Sequence, residues 1–178
     1  MTEASDGPRT ANLLAAFALA ATERTSGATV TSRPATDTTA LVALTTFLAG
    51  TPQDGLARVL GLTQSGATRL VDRLAREGLA ERTPGPDGRT LAIVPTAAGR
   101  DLAGRALAGR RAASDAVLAA LAPDERAQLA ALLEKLLAGL THSRADAWHI
   151  CRLCDPEACE AHPDGCPVTR AADAAQAG

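Results

Sequence analysis

The chain has 178 residues, enough for one domain with appendages, and its 46% hydrophobic and 21% charged residues exclude wholesale disorder. It holds 41 Ala and a single Lys (Lys135), so almost all its positive charge is Arg, while aromatics make up 2% and Tyr is absent. This composition favours helices over a β-sandwich or barrel, and a formal net charge of −2 excludes a chain coated in basic residues while leaving room for a local basic face.

Residues 1–9 are polar and are expected to be flexible. A first helix is predicted over 10–22, where Leu13, Leu14 and Phe17 share a face. Residues 11–22 imitate a secretory apolar core, with Ala18-Leu19-Ala20 as a would-be cleavage site, but Glu3 and Asp6 stand before it against one Arg9. The positive leader is therefore missing. No apolar run approaches the ~18 residues that a membrane-spanning helix needs. A cytoplasmic location with no membrane partner is expected.

Glu23 to Asp37, rich in Thr and Ser, reads as a connection. Helical signal returns over 38–49, with Leu41, Leu44, Phe47 and Leu48 on one face, and Thr51-Pro52 ends it. Residues 54–78 give two short helices that meet at a tight corner. Gly61 supplies the left-handed conformation that a helix C-terminus wants, and Thr63 is placed to cap the next helix. That second helix turns Ala67, Leu70, Val71 and Leu74 inward; Gln64, Ser65, Thr68, Arg69, Asp72, Arg73 and Arg76 face out. Residues 79–83 and 90–94 flank Pro84-Gly85-Pro86-Asp87-Gly88 and read as a β-hairpin. Long helices are predicted over 97–121 and 123–147, the second with an apolar stripe from Leu129 to Leu140. A Cys-rich segment, 148–168, follows, and then a tail, 169–178, with nothing evident to fold around.

The predicted fold is mainly α with a small β-hairpin wing, a winged helix-turn-helix core (about 38–96) with N- and C-terminal dimerisation helices. Such a core suits double-stranded DNA. The outward face of 63–77 offers hydroxyl, amide and guanidinium groups for base edges and phosphates, and Arg89 at the hairpin tip is placed to reach a minor groove or the backbone. Residues 61–100 hold six Arg against four acids, whereas 143–178 hold three Arg against six acids. The competing reading is a protein-interaction or thiol-redox module that uses a winged helix without reading DNA.

The stretch LARVLGLTQSGATRLVDRLAREGLAERTPGPDGRTLAIVPTAAGRDL resembles the winged-helix core of MarR-family transcriptional regulators. The likeness rests on LVDRL followed by EGLAER, on Asp87 and Arg89 in the wing, and on Thr96 and Gly99 opening the next helix. With its flanking helices it covers about residues 8–145. It implies a homodimer on a pseudo-palindromic operator, a repressor whose affinity answers to a small-molecule, metal or redox signal. The DNA contacts it implies fall on Gln64, Ser65, Thr68, Arg69 and Arg73, with Arg89 in the wing. Independently, the Leu129–Leu140 stripe and helices 10–22 and 97–121 offer more apolar surface than so small a core covers, which favours a dimer. The chain departs from the family pattern by continuing into the cysteine segment.

That segment reads HICRLCDPEACEAHPDGCPV, with Cys151, Cys154, Cys159 and Cys166 within sixteen residues. Cys-x2-Cys lets two thiolates converge on one ion, and two more complete a tetrahedral set. Structural zinc suits such a set best. An iron–sulfur cluster also takes four thiolates, although the spacing matches no standard ferredoxin run. Redox thiols through Cys151 and Cys154 are a third reading, and the absence of any cofactor a fourth. Enzyme readings lack support, since the sequence has no Gly-rich phosphate loop before a helix, no Gly-x-Ser-x-Gly and only three His.

Overall fold

The structure is a computed structural model that describes residues 7–27, 33–85 and 90–177. Helix α1 (Gly7–Gly27) extends beyond the predicted 10–22 at both ends, so Gly7 to Arg9, expected to be flexible, are helical. Residues 1–6 lie outside the described residues. Helix α2 (Ala35–Thr46) follows Pro34 and buries Leu41, Val42 and Leu44 completely. Apolar on nearly every side, it is the central element that the others cover.

Helices α3 (Gln53–Leu60) and α4 (Gln64–Arg76) form the expected corner. Gly61 adopts φ 65°, a region open to glycine at little cost, and the Thr63 hydroxyl accepts from the Gly66 N–H at 3.1 Å. Strands β2 (Ala80–Pro84) and β3 (Leu91–Pro95) pair antiparallel, Ala80 opposite Pro95, as the hairpin prediction requires. The other edge of β3 is taken by strand β1 (Thr51–Pro52), Thr51 opposite Ile93, which sequence reading treated only as a helix stop. Two residues carry no alternation to detect.

Helix α5 (Ala97–Leu118) opens on Thr96, whose hydroxyl donates to the Gly78 carbonyl at 2.7 Å and accepts from the Gly99 N–H at 3.2 Å. Gly99 lies so close to the chain before β2 that a Cβ there would stand 2.0 Å from the Leu79 carbonyl oxygen. Helix and hairpin are thereby locked together.

The predicted helix 123–147 is two helices. Helix α6 (Pro123–Gly139), whose Glu125 carboxylate accepts from the Ala122 N–H at 2.8 Å, ends at Gly139. Helix α7 (Arg144–Cys151) restarts at Ser143, whose hydroxyl caps the Asp146 N–H at 3.1 Å. The cysteine segment, to which the sequence assigns no element, continues into helices α8 (Pro156–Glu160) and α9 (Pro167–Ala177). The tail expected to be flexible is thus helical through Ala177, because Val168 and Ala172, four residues apart on one face, bury themselves against α6 and α7.

One apolar core joins α2, α3, α4, the sheet and the first half of α5. Helix α6 buries no residue at all, and its Leu132, Leu133, Leu136 and Leu140 are exposed, as are Leu13, Leu14 and Phe17 of α1. No helix among the described residues is long and apolar enough to cross a membrane.

Candidate functional site

Helix α4 presents two different halves. Gln64, Ser65, Thr68 and Arg69, on its first two turns, are exposed. The Thr68 hydroxyl donates to the Gln64 carbonyl at 3.0 Å and accepts from Gln53 Nε2 at 2.8 Å, which ties α3 to α4 at the outer surface. No hydrogen bond or ion pair among the described residues engages the side chain of Gln64 or Arg69. Both are free to meet an external partner.

The second half is committed inward. Arg73, expected as a DNA contact, donates from Nε to Asp37 Oδ2 at 2.8 Å and from its second arm to Oδ1. Asp37 lies at the start of α2 and is completely buried. A buried carboxylate needs a partner, and this bidentate fork supplies it. The hydrogen bond to Asp37 also raises the Arg73 pKa above its ordinary value. Arg73 therefore anchors α4 on α2. Asp72 holds Arg82 of β2 at 2.6 Å, joining wing and helix. Arg76 remains exposed and without a partner among the described residues. The expected wing contact, Arg89, falls with Asp87 outside the described residues.

Sequence reading missed Asp37 and Gln53. An acid one turn before the apolar run Ala40–Leu44 was the available signal for the first. Nothing local distinguishes Gln53, whose role depends on the angle between two helices.

The four cysteines come together. Cys151 ends α7, Cys154 lies in the following turn, Cys159 is in α8, and Cys166 precedes α9. All four line one cavity of about 180 Å³, walled also by Phe47, Trp148 and Pro156. None is in a disulfide. The thiols influence one another. Cys151 is pushed up, first by the neighbouring Cys154 thiol and then by burial. Cys154 is lowered to about 7, first by Cys151 and then, against burial, by the positive charges of Arg110 and Arg152. Burial raises Cys159. At Cys166 burial also works upward, but hydrogen bonds from Thr169 and Val168 at the start of α9 outweigh it, and the pKa falls.

This lobe touches both parts of the molecule. His149 Nδ1 lies 2.9 Å from the Val59 carbonyl of α3, Arg111 of α5 pairs with Asp155, and Arg170 of α9 pairs with Glu134 of α6. A second cavity, of about 390 Å³, is lined by Thr45 and Thr46 of α2, Leu107 and Arg111 of α5, and Pro156 and Glu157 of α8. The buried Thr45 hydroxyl has no hydrogen-bond partner.

Residues 34–90 match the MarR family model. The chain is similar to the solved structure of RV1404 from Mycobacterium tuberculosis, at 25% identity and TM-score 0.60, covering 78% of this chain and 95% of that one. It is similar to the MarR family protein RV2887 of the same organism, at 29% identity and TM-score 0.56, covering 76% and 98%. It also resembles CouR from Rhodococcus jostii RHA1, solved with p-coumaroyl-CoA bound, at 27% identity and TM-score 0.53, covering 70% and 88%. No curated protein matches the chain in sequence. The exposed first turns of α4, the Gly61–Thr63 corner, the three-stranded wing sheet and these likenesses agree: the core of this chain has the winged helix-turn-helix fold seen in MarR-family regulators.

Proposed function

We propose that this chain is a sequence-specific DNA-binding transcriptional regulator, acting as a homodimer on a double-stranded operator and answering to a small organic effector. The observation that carries the reading is the division of α4. Its first turns offer Gln64, Ser65 and Arg69 outward, while Arg73 fixes the helix to the core so that those groups are held in place. Preorganised amide, hydroxyl and guanidinium groups at a helix N-terminus suit base edges and phosphates in a major groove.

Dimerisation is supported by the apolar faces of α1 and α6, whose Leu13, Leu14, Phe17, Leu132 and Leu136 remain about half exposed. RV2887 has been solved with p-aminosalicylic acid and CouR with p-coumaroyl-CoA. The cavity between α2, α5 and α8 is the place where a small organic effector would fit here. Repression follows if the operator overlaps a promoter.

Selection of bound duplexes from a randomised pool tests the reading. A two-fold symmetric consensus whose binding is lost in Arg69→Ala, with fold intact, is expected. Recovery of no preferred sequence overturns specific recognition. Leu132→Glu with Leu136→Glu is expected to convert dimer to monomer in sedimentation; an unchanged dimer overturns the interface.

A further inference from the structure

Helices α7, α8 and α9 have eight, five and eleven residues, too short to persist in water by themselves. The apolar core that they share fully buries only Ala147, Val168 and Ala172, with Leu137, Ile150, Cys151 and Cys166 half-buried against it. So few small buried side chains contribute little. The ion pairs joining the lobe to the rest, Arg111–Asp155 and Arg170–Glu134, are largely exposed and weak for that reason. Ordering some thirty residues needs more than this.

The missing element is visible in where the thiols stand. Each of the three helices contributes cysteine at or next to an end, and all four cysteines line the same cavity. No three of the described Cys, His, Asp or Glu side chains already converge as ligands of a single ion. The void of about 180 Å³ is instead more than ten times the ~10–15 Å³ that one water requires. It leaves room for a metal centre onto which the thiols would close. Arg144 lines the cavity, and Arg110 and Arg152 place positive charge at Cys154, which offsets the negative charge of a thiolate centre.

We propose that Cys151, Cys154, Cys159 and Cys166 together bind one thiophilic metal centre per chain, a zinc ion or an iron–sulfur cluster, which fastens α7, α8 and α9 to one another. Each thiol yields its proton to solvent as its sulfur becomes a ligand, and no protein group is oxidised. The closed lobe then rests on α3 through His149 and on α5 and α6 through its ion pairs.

The test uses the full chain purified without oxygen and incubated, in separate portions, with zinc alone or with sulfide and equal amounts of ferrous and ferric iron, which together carry the oxidation level of a dicationic four-iron, four-sulfide centre. Zinc at one per chain in colourless protein identifies the ion. Iron and acid-labile sulfide in equal amounts, with broad visible absorption, identify the cluster. In either case the native thiols should resist a thiol reagent at least tenfold more slowly labelled than after metal removal. Cys154→Ser should lose most of the metal, and so should Cys166→Ser, while Thr169→Val keeps it. Wild-type protein that stays metal-free in both portions with all four thiols freely reactive overturns the proposal. Metal retained undiminished in both cysteine variants, or recovery of Cys151–Cys154 as a disulfide in place of metal, overturns it equally.

Discussion

The DNA-reading core and the C-terminal lobe are both assemblies of short helices, but different forces hold them. Between Ala40 and Ala106 seventeen buried apolar residues form one cluster, with Leu41, Leu44, Leu56, Leu70 and Leu74 essentially inaccessible. Each such side chain is worth ~1.5–3 kcal/mol when fully buried. The lobe has three small buried residues and a set of polar ties. The difference teaches that a winged helix can be stable on its own, whereas an appended lobe of this size is ordered only conditionally.

The largest expected effect comes from stripping metal. Because metal-binding free energy in small sites is folding free energy, of the order of 10 kcal/mol for structural zinc, chelation should raise amide hydrogen exchange across 144–177 by orders of magnitude. Exchange in α2, α3 and α4 should hardly change. Equal loosening of both regions erases the contrast drawn above.

Next is Arg73→Ala. It leaves the Asp37 carboxylate buried without its partner, at a cost of ~3–5 kcal/mol to global stability, read from denaturant unfolding. Replacing Asp37 by Leu together with Arg73 by Met should recover most of that loss. If Arg73→Ala weakens DNA binding with unfolding unchanged, Arg73 is a reader after all.

Arg69→Ala should leave the unfolding curve in place and reduce affinity for the selected operator by ~1–3 kcal/mol, about 5- to 150-fold, in fluorescence anisotropy. Smallest is His149→Ala, which removes the tie to the Val59 carbonyl. A loss of ~0.5–1.5 kcal/mol in local stability of α7, seen by hydrogen exchange, is expected. The core should not register it.

What was legible in the sequence follows the same division. Gly61 and Thr63 announce the corner because one requires a left-handed backbone and the other a cap, both local needs. The hairpin and the exposed leucine face of α6 are likewise readable from turn chemistry and period. The pairing of Arg73 with Asp37 is not legible, since an outward position on a helical wheel says nothing about a carboxylate thirty-six residues away. The tail was misread because Val168 and Ala172 are too few to make a pattern, and only the neighbouring α6 and α7 make them a buried face. Convergence of the four thiols was foreseeable from their spacing; the three helices that carry them were not, being short and capped by Ser143 and Asp155 rather than driven by apolar periodicity.

The division of α4 has a consequence for how many addresses such a protein can distinguish. With Arg73 and Thr68 already engaged by Asp37 and Gln53, the proposed reading of DNA would rest on Gln64, Ser65 and Arg69. If each fixes one base pair, a half-site matches by chance about once in 64 positions and a symmetric pair about once in 4,000, against ~10⁶ or more competing positions in a genome. Letters alone therefore leave hundreds of decoys. The remaining discrimination has to come from groove width and bendability beneath the wing, which is coupled rigidly to α4 through Arg82 and Asp72. Its operators should accordingly be loose in spelling and strict in shape, so that a genome scan by consensus word will return far more sites than the protein occupies.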